Sequence, residues 1–98
     1  MTAAADSSTR ERVLDVVRRA LGRVLEIDPD GIGEGDRLVA DLGADSLALV
    51  EVVEIVEEEL RALDARFTVG DDDIEDLVTV GAAADYALGR LSASVARH

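Results

Sequence analysis

The chain contains no cysteine and no lysine, and its single histidine is the last residue, His98. Without cysteine it can form no disulfide, no thiolate nucleophile and no cysteine-ligated metal site. A serine hydroxyl becomes a useful nucleophile only when a base removes its proton, and the sequence offers no lysine and only one histidine to do so. With no cluster of metal ligands and no phosphate-cradling loop either, these absences argue against an enzyme.

Aromatic residues are also scarce, since Phe67 and Tyr86 are the only two. Hydrophobic residues nevertheless make up 48% of the 98 residues, so the core must be built from valine, leucine, isoleucine and alanine. This composition predicts a small helical bundle, and the length fits a single domain.

Positive charge is limited to ten arginines, and the formal net charge is −12. A surface of this sign repels nucleic acid and anionic membranes and favours protein partners with basic surfaces. No apolar run is long enough to span a membrane, and the short acidic start of the chain lacks the pattern of a signal peptide. We therefore expect a soluble, cytoplasmic, monomeric protein that binds no nucleic acid and does not insert into membranes.

The first half of the chain predicts one helix followed by a long loop. Ser8 and Glu11 have the spacing of a capping box, which predicts a helix start at Ser8. Apolar residues at helical spacing carry this helix to about Leu25: Val13, Val17, Ala20, Leu21 and Val24. The stretch from Ile27 to Asp45 contains Pro29 and several glycines, which predicts a loop anchored on the core by Leu38, Val39 and Leu42.

An acidic turn in this loop, Asp28-Pro29-Asp30-Gly31, has some features of a calcium-binding loop. Counted from Asp28, the fifth position is Ile32 and the twelfth is Val39, and neither can supply a side-chain oxygen. We therefore reject a calcium site and interpret the segment as a solvated turn.

A second helix is predicted from Asp45 or Ser46 to about Arg61. Its inward face repeats at three and four residues and comprises Leu49, Val52, Val53, Val56 and Leu60. Its outward face comprises Leu47, Glu51, Glu54 and Glu58. Such a face is either a solvated helix surface or a docking face, in which carboxylates steer basic partners and Leu47 supplies an apolar anchor.

The second half of the chain predicts a connection after Arg61, a short helix from about Asp72 to Leu77, and a last helix from about Val80 to Leu91. Gly70 breaks the connection, Asp71 to Asp73 suit a helix start, and Thr79 is the expected cap of the last helix. The inward residues of that helix are Val80, Ala83, Ala84, Ala87 and Leu91. The predicted domain covers residues 8–91, with a disordered segment 1–7 and a frayed segment 92–98.

The run Asp41-Leu42-Gly43-Ala44-Asp45-Ser46-Leu47 presents a serine at the start of the acidic second helix. Free amides and the helix dipole at such a start can accommodate a negatively charged phosphodiester. Asp45 is expected to cap the helix rather than to activate Ser46. A modified serine therefore fits this position, whereas self-catalysis is not expected.

This seven-residue run, followed by an acidic helix that ends Glu57-Glu58-Glu59-Leu60, resembles the acyl carrier protein family from about Ser8 to Leu91. The resemblance implies an all-α, four-helix bundle with three longer helices, one short helix and a long first loop. It also implies that a phosphopantetheinyl transferase attaches 4′-phosphopantetheine covalently to Ser46, and that the resulting thiol holds acyl groups as thioesters. Acyltransferases, ketosynthases and other pathway enzymes would be partners, and the docking positions carried over by the resemblance are Asp45, Leu47, Glu51, Glu57 and Glu58.

The resemblance leaves the pathway open. Ser46-Leu47-Ala48-Leu49 is similar to stand-alone polyketide carriers, whereas Ala44-Asp45-Ser46 is closer to fatty-acid carriers. Peptidyl carriers usually approach the serine with paired glycines or a histidine, so that type ranks lower. An acidic helical interaction module that never carries a prosthetic group is the alternative from a different class.

The apolar faces also suggest where cargo goes. Leu49, Val52, Val53 and Val56 are expected to lie opposite the small residues Ala83, Ala84 and Ala87. Such a bundle can part slightly and admit an acyl chain from Ser46, and burial of each methylene contributes about 0.8 kcal/mol. We therefore expect an acyl pocket lined by Leu49, Val52, Val53, Val56, Ala83 and Ala87.

Overall fold

Three α-helices form the protein in the computed structural model, which describes residues 2–96. They are α1 (Thr2–Leu25), α2 (Ser46–Leu60) and α3 (Val80–Ala96), and 3₁₀ helices cover Pro29–Gly31 and Asp71–Asp76. No β-strand occurs within the described residues; an isolated antiparallel bridge pairs Arg37 with Thr79. The all-helical prediction is confirmed, but the short helix expected near Asp72 is a 3₁₀ helix rather than an α-helix.

The start of α1 corrects the sequence prediction. The helix begins at Thr2, so Ser8 lies inside it and is not its N-cap. A capping serine needs non-helical backbone, whereas the preceding run of alanines, the strongest helix formers, continues the helix towards the N-terminus. Met1, part of the segment predicted to be disordered, lies outside the described residues, and the domain limits 8–91 stay a prediction.

The end of α1 lies where the sequence predicts it, at Leu25. Glu26 adopts a left-handed conformation with φ 58°, and the N–H of Ile27 donates to the carbonyl of Gly22 at 3.1 Å, which closes a Schellman motif. A Cβ at Gly22 would lie 2.8 Å from the Ile27 oxygen and 3.1 Å from the Pro29 ring. Gly22 therefore allows the loop to fold back tightly against the end of α1.

The end of α3 differs from its prediction. The helix continues to Ala96, beyond the expected end at Leu91, because the sequence places neither proline nor glycine after Leu91. Residues 97 and 98, part of the segment predicted as frayed, lie outside the described residues.

The aliphatic core lies between the three α-helices. The inward residues predicted for the three helices are buried, with two exceptions. Val24 of α1 and Leu49 of α2 are half-buried. The connections add further buried side chains: Ile32, Leu38, Phe67 and Val69. Among the described residues no charged or polar residue is buried, so the core is held by apolar packing.

The first loop is fastened to the start of α3 by backbone hydrogen bonds. Leu38 N–H donates to the Val78 carbonyl at 3.0 Å, and the N–H groups of Val80 and Gly81 donate to the carbonyls of Asp36 and Glu34 at 3.0 and 2.9 Å. These bonds fix the part of the loop that leads into α2.

An arginine on α1 adds a polar contact to the same region. The Arg10 guanidinium lies 2.7 Å from a carboxylate oxygen of Glu34 in the loop and 2.8 Å from one of Asp85 on α3. The hydrogen bond from Arg10 lowers the pKa of Glu34. One side chain thus connects three parts of the fold.

Candidate functional site

Ser46 is the first residue of α2, and its side chain is exposed. The preceding residue, Asp45, is the N-cap: its backbone is extended, and its carboxylate accepts a hydrogen bond from the Ala48 N–H at 2.8 Å. The capping role expected of Asp45 is thereby confirmed, and the cap defines where the helix begins. Ser46 consequently projects from the N-terminal end of α2 into solvent.

The four residues before Asp45 form a compact turn that sets this position. Ala44 is buried at 1% exposure, and its N–H donates to the carbonyl of Leu38 at 2.9 Å. Gly43 has a φ of 74°, in the left-handed region that glycine adopts without steric cost. The turn therefore explains the order of residues in the motif. Gly43 allows the chain to reverse, Ala44 packs in the core, and Ser46 follows on the surface.

Asp41 closes the turn from the other side. Its carboxylate accepts the backbone N–H of Arg37 at 2.8 Å and the Arg37 guanidinium at 3.3 Å. The backbone hydrogen bond, followed by the guanidinium, lowers the pKa of Asp41. Asp41 is thus a structural carboxylate that stays ionised and holds the turn in front of Ser46.

The described residues provide no base for Ser46. None of them forms a hydrogen bond with its hydroxyl, and the neighbouring Asp45 carboxylate is occupied by the Ala48 N–H. A serine in this setting is accessible to a second protein but is not activated by any of the described residues. An exposed hydroxyl beside a helix N-terminus fits covalent attachment of a phosphodiester group.

Four of the six predicted docking residues lie together on the exposed side of α2: Leu47, Glu51, Glu54 and Glu58. Leu47 is 68% exposed, and Glu51, Glu54 and Glu58 are exposed along the helix that follows it. The three glutamates line an open surface groove of about 580 Å³ between α1 and α2. The rest of the groove consists of Arg23, Val24, Glu26 and Ile55, so its charge is predominantly negative.

Glu57 has a different environment from the other glutamates of α2. Its side chain is only 16% exposed, and one carboxylate oxygen accepts the Val69 N–H at 2.8 Å and the Thr68 hydroxyl at 3.0 Å. These contacts give Glu57 an internal role in holding the second connection. The docking role predicted for it stays a prediction.

All six residues predicted to line an acyl pocket border one interior cavity: Leu49, Val52, Val53, Val56, Ala83 and Ala87. Its volume is about 30 Å³, and the other lining residues are Val17, Leu21, Leu38, Val69, Leu77 and Tyr86. The cavity is several times smaller than an engineered apolar cavity of about 150 Å³ that binds benzene. An acyl chain therefore enters only if the cavity enlarges.

Tyr86 also lines the cavity, although it was not among the residues predicted from the sequence. The signal was available, since Tyr86 follows Ala83 by three residues and precedes Ala87 on the predicted inward face. The contributions of Leu38, Val69 and Leu77 had no comparable signal, because they come from connections whose path is set by tertiary contacts.

The described residues contain neither a membrane-spanning helix nor a cluster of metal ligands. None of the described helices is both long and apolar enough to cross a membrane. No group of three or more histidine, cysteine, aspartate or glutamate side chains in the same part of the chain could hold a metal ion. At the rejected calcium loop, Asp28 instead caps the turn by accepting the Asp30 N–H at 2.9 Å.

A comparison with protein families agrees with the geometry around Ser46. The family model described as a phosphopantetheine attachment site matches residues 15–87, about three-quarters of the chain. The match begins within α1, spans the first loop with its turn, Ser46 and all of α2, and ends within α3.

Proposed function

Because the chain belongs to the phosphopantetheine-attachment family of carrier proteins, we propose that Ser46 carries the prosthetic group and that the protein is an acyl carrier of fatty-acid or polyketide biosynthesis. Members of this family hold 4′-phosphopantetheine covalently, typically on a serine, and are generally not catalytic themselves. The observation that carries the proposal is the exposed Ser46 at the capped start of α2, inside the matched residues. We also propose that the protein is a monomer and is located in the cytoplasm.

Attachment requires a transferase, because Ser46 has no base of its own among the described residues. In the proposed reaction the Ser46 oxygen attacks the phosphorus that bears the pantetheine half of coenzyme A. A new P–O bond forms, 3′-phosphoadenosine 5′-phosphate leaves, and the serine proton passes to a base of the transferase. The attached arm supplies a thiol that holds acyl groups as thioesters, which is why a chain without cysteine can act in thiol chemistry.

The acidic side of α2 supports the proposed partners. Exposed carboxylates beside an exposed apolar residue, Leu47, are suited to a basic docking surface on a transferase, an acyltransferase or a ketosynthase. The three glutamates in the groove, Glu51, Glu54 and Glu58, extend this surface away from Ser46. Asp45 lies at the same end of α2, although its carboxylate is used by the helix cap.

The central test is a mass measurement. The chain is incubated with coenzyme A and a broad-specificity phosphopantetheinyl transferase, and we expect the mass to increase by one phosphopantetheinyl group. Ser46→Ala should prevent the increase, whereas Ser92→Ala, which removes another serine of the chain, should not. Ser46→Ala should cost at most about 1 kcal/mol of stability, since it replaces an exposed residue at a helix start. A wild-type chain that stays unmodified under conditions that load a known carrier would favour the interaction module without a prosthetic group.

A second test concerns the cargo. If acyl chains enter the interior cavity, the melting temperature should rise stepwise with chain length, because each buried methylene contributes about 0.8 kcal/mol. NMR signals of Val52, Val53 and Ala87 should shift as the chain grows. Octanoyl and acetyl forms that melt alike and perturb only residues around Ser46 would mean that the cargo stays outside the bundle. A separate measurement, the identity of the groups bound to the protein in its native cell, would distinguish fatty-acid, polyketide and peptidyl carriers.

A further inference from the structure

One wall of the interior cavity is the segment 67–77, which contains the 3₁₀ helix Asp71–Asp76. Val69 and Leu77 flank that helix in the sequence, and both line the cavity together with valines of α2. Phe67 and Val69 anchor the segment in the core at 2% and 8% exposure. Because 3₁₀ helices have poorer hydrogen-bond geometry than α-helices, this wall depends on contacts from neighbouring elements.

Glu57 of α2 and Arg61, the C-cap residue of α2, hold the first half of the segment. Glu57 accepts the Val69 N–H and the Thr68 hydroxyl, and one helical turn later the Arg61 Nε donates to the Phe67 carbonyl at 3.1 Å.

Two side chains from α3, also one turn apart, hold the segment from the opposite side. The Tyr86 hydroxyl donates to Asp73 of the 3₁₀ helix and accepts the Gly70 N–H at 3.3 Å. The Arg90 Nε donates to the Thr68 carbonyl at 3.3 Å, and its guanidinium lies 5.9 Å from the centre of the Tyr86 ring.

The two connections of the fold are therefore fastened in different ways. The first loop is tied to the start of α3 by backbone hydrogen bonds at Leu38, Val80 and Gly81. In the part of the chain that the structure describes, the backbone–backbone hydrogen bonds of residues 68–77 stay within the segment and its junction with Val78. Side-chain bonds attach it to the helices, so it can move without breaking helical or bridge hydrogen bonds.

Tyr86 is the side chain that joins this wall directly to the cavity. Its ring lines the cavity while its hydroxyl reaches Asp73 and Gly70. Burial, followed by the hydrogen bond to Asp73, raises the pKa of Tyr86, so the phenol stays a protonated donor at neutral pH. Gly70 is matched to this contact, because a Cβ there would lie 2.9 Å from the Asp73 oxygen Oδ2.

We propose that the Tyr86 hydroxyl acts as a latch that keeps the segment 67–77 closed over the cavity and thereby limits which acyl chains the cavity admits. The cavity of about 30 Å³ must enlarge to hold a chain, and outward movement of this segment enlarges it while the three helices keep their packing. The part of the proposal that concerns cargo rests on the proposed function, whereas the latch itself does not.

Hydrogen exchange of the full, unmodified chain, followed by mass spectrometry, tests the latch. Tyr86→Phe keeps the ring and removes the hydroxyl, so peptides within 67–77 should exchange about tenfold faster, as expected for loss of a hydrogen bond to a charged group. Asp73→Ala should have the same effect, and Gly70→Ala should reproduce it by displacing Asp73. Asp72→Ala removes a neighbouring exposed carboxylate with the same change in charge and should exchange like wild type. An unchanged rate in Tyr86→Phe would overturn the latch, as would an equal acceleration in peptides of α1.

A second measurement tests the effect on cargo. Wild type and Tyr86→Phe are loaded at Ser46 with acetyl and octanoyl groups, and the difference in melting temperature between the two acyl forms is compared. We expect this difference in melting temperature to be larger in Tyr86→Phe, because the variant has already lost part of the free-energy cost of moving the segment 67–77 away from the cavity. Equal differences would overturn the control of cargo by Tyr86. If Ser46 accepts no prosthetic group, the proposed function fails, and hydrogen exchange still decides whether the latch exists.

Discussion

At the scale of single residues, similar side chains on one helix have different tasks. Glu54 and Glu57 are three positions apart on α2, yet Glu54 lies in the open groove and Glu57 is turned towards the second connection. The difference arises because Thr68 and Val69 offer Glu57 a hydroxyl and an N–H to bind. Glutamates that look equivalent in the sequence therefore separate into a solvated group and a structural one.

This difference predicts unequal effects on stability. Glu57→Ala should lower the free energy of unfolding by about 1 to 3 kcal/mol, because it leaves the largely covered Val69 N–H without its partner. Glu54→Ala is the matched control and should change stability by less than about 0.5 kcal/mol. Urea denaturation of both variants measures the difference, and equal losses would show that the contacts of Glu57 contribute little.

At the scale of elements, α2 combines three functions along its length. Its start presents Ser46, its inner face lines the cavity, and its outer face presents carboxylates and Leu47. The acidic groove extends beyond α2, since Arg23, Val24 and Glu26 from the end of α1 complete it. The proposed docking surface therefore depends on how α1 and α2 pack, in addition to the sequence of α2.

We expect Glu51→Lys and Glu58→Lys to weaken binding of the transferase without unfolding the protein, mainly by slowing association. The physical reason is that exposed carboxylates steer a basic partner during encounter, an effect that also decreases with added salt. Glu75→Lys, at an exposed position in the second 3₁₀ helix, makes the same change in total charge outside α2 and serves as the control. Stopped-flow association kinetics should separate the variants. If all three associate at the wild-type rate, or if salt has no effect, the carboxylates of α2 are merely solvated.

At the scale of the whole molecule, the protein folds despite a net charge of −12. Among the described residues the ion pairs are few and largely exposed, such as Arg19 with Asp15 at 2.9 Å, and pairs of this kind contribute little to stability. The apolar core must therefore offset the mutual repulsion of the carboxylates. That repulsion is strongest where acidic residues are adjacent in sequence, along α2 and at Asp71 to Asp73.

Screening this repulsion should stabilise the fold. We expect moderate sodium chloride, or magnesium at lower concentration, to raise the melting temperature, because both weaken the interaction between like charges. The pairs that Arg10 makes with Glu34 and Asp85 are weakened as well, but the sequence has 22 acidic residues against ten arginines, so repulsion outweighs them. Thermal melts followed by circular dichroism at increasing salt measure the net effect of weaker repulsion and weaker ion pairs. A melting temperature that stays constant or falls would contradict the prediction.

The amino-acid sequence by itself determined the local features of this protein. Helical spacing of apolar residues identified the inner faces of α1, α2 and α3, and the run from Asp41 to Leu47 identified Ser46 and its capping neighbour. These features depend on residues within one or two helical turns of each other, so short-range patterns are sufficient to reveal them. The predicted start of α1 at Ser8 was wrong for a related reason. A capping-box pattern inside a strongly helical stretch does not stop the helix from extending towards the N-terminus.

Only the tertiary structure decided what distant residues do together. It placed Leu38, Val69, Leu77 and Tyr86 around one cavity, turned Glu57 inwards, and connected Tyr86 to Asp73 across the second connection. The paths of the two connections follow from hydrogen bonds between segments far apart in sequence, for which a single chain offers no periodic signal. The proposed attachment serine could therefore be found in the sequence, whereas the residues of the second connection that line the cavity could be found only in the fold.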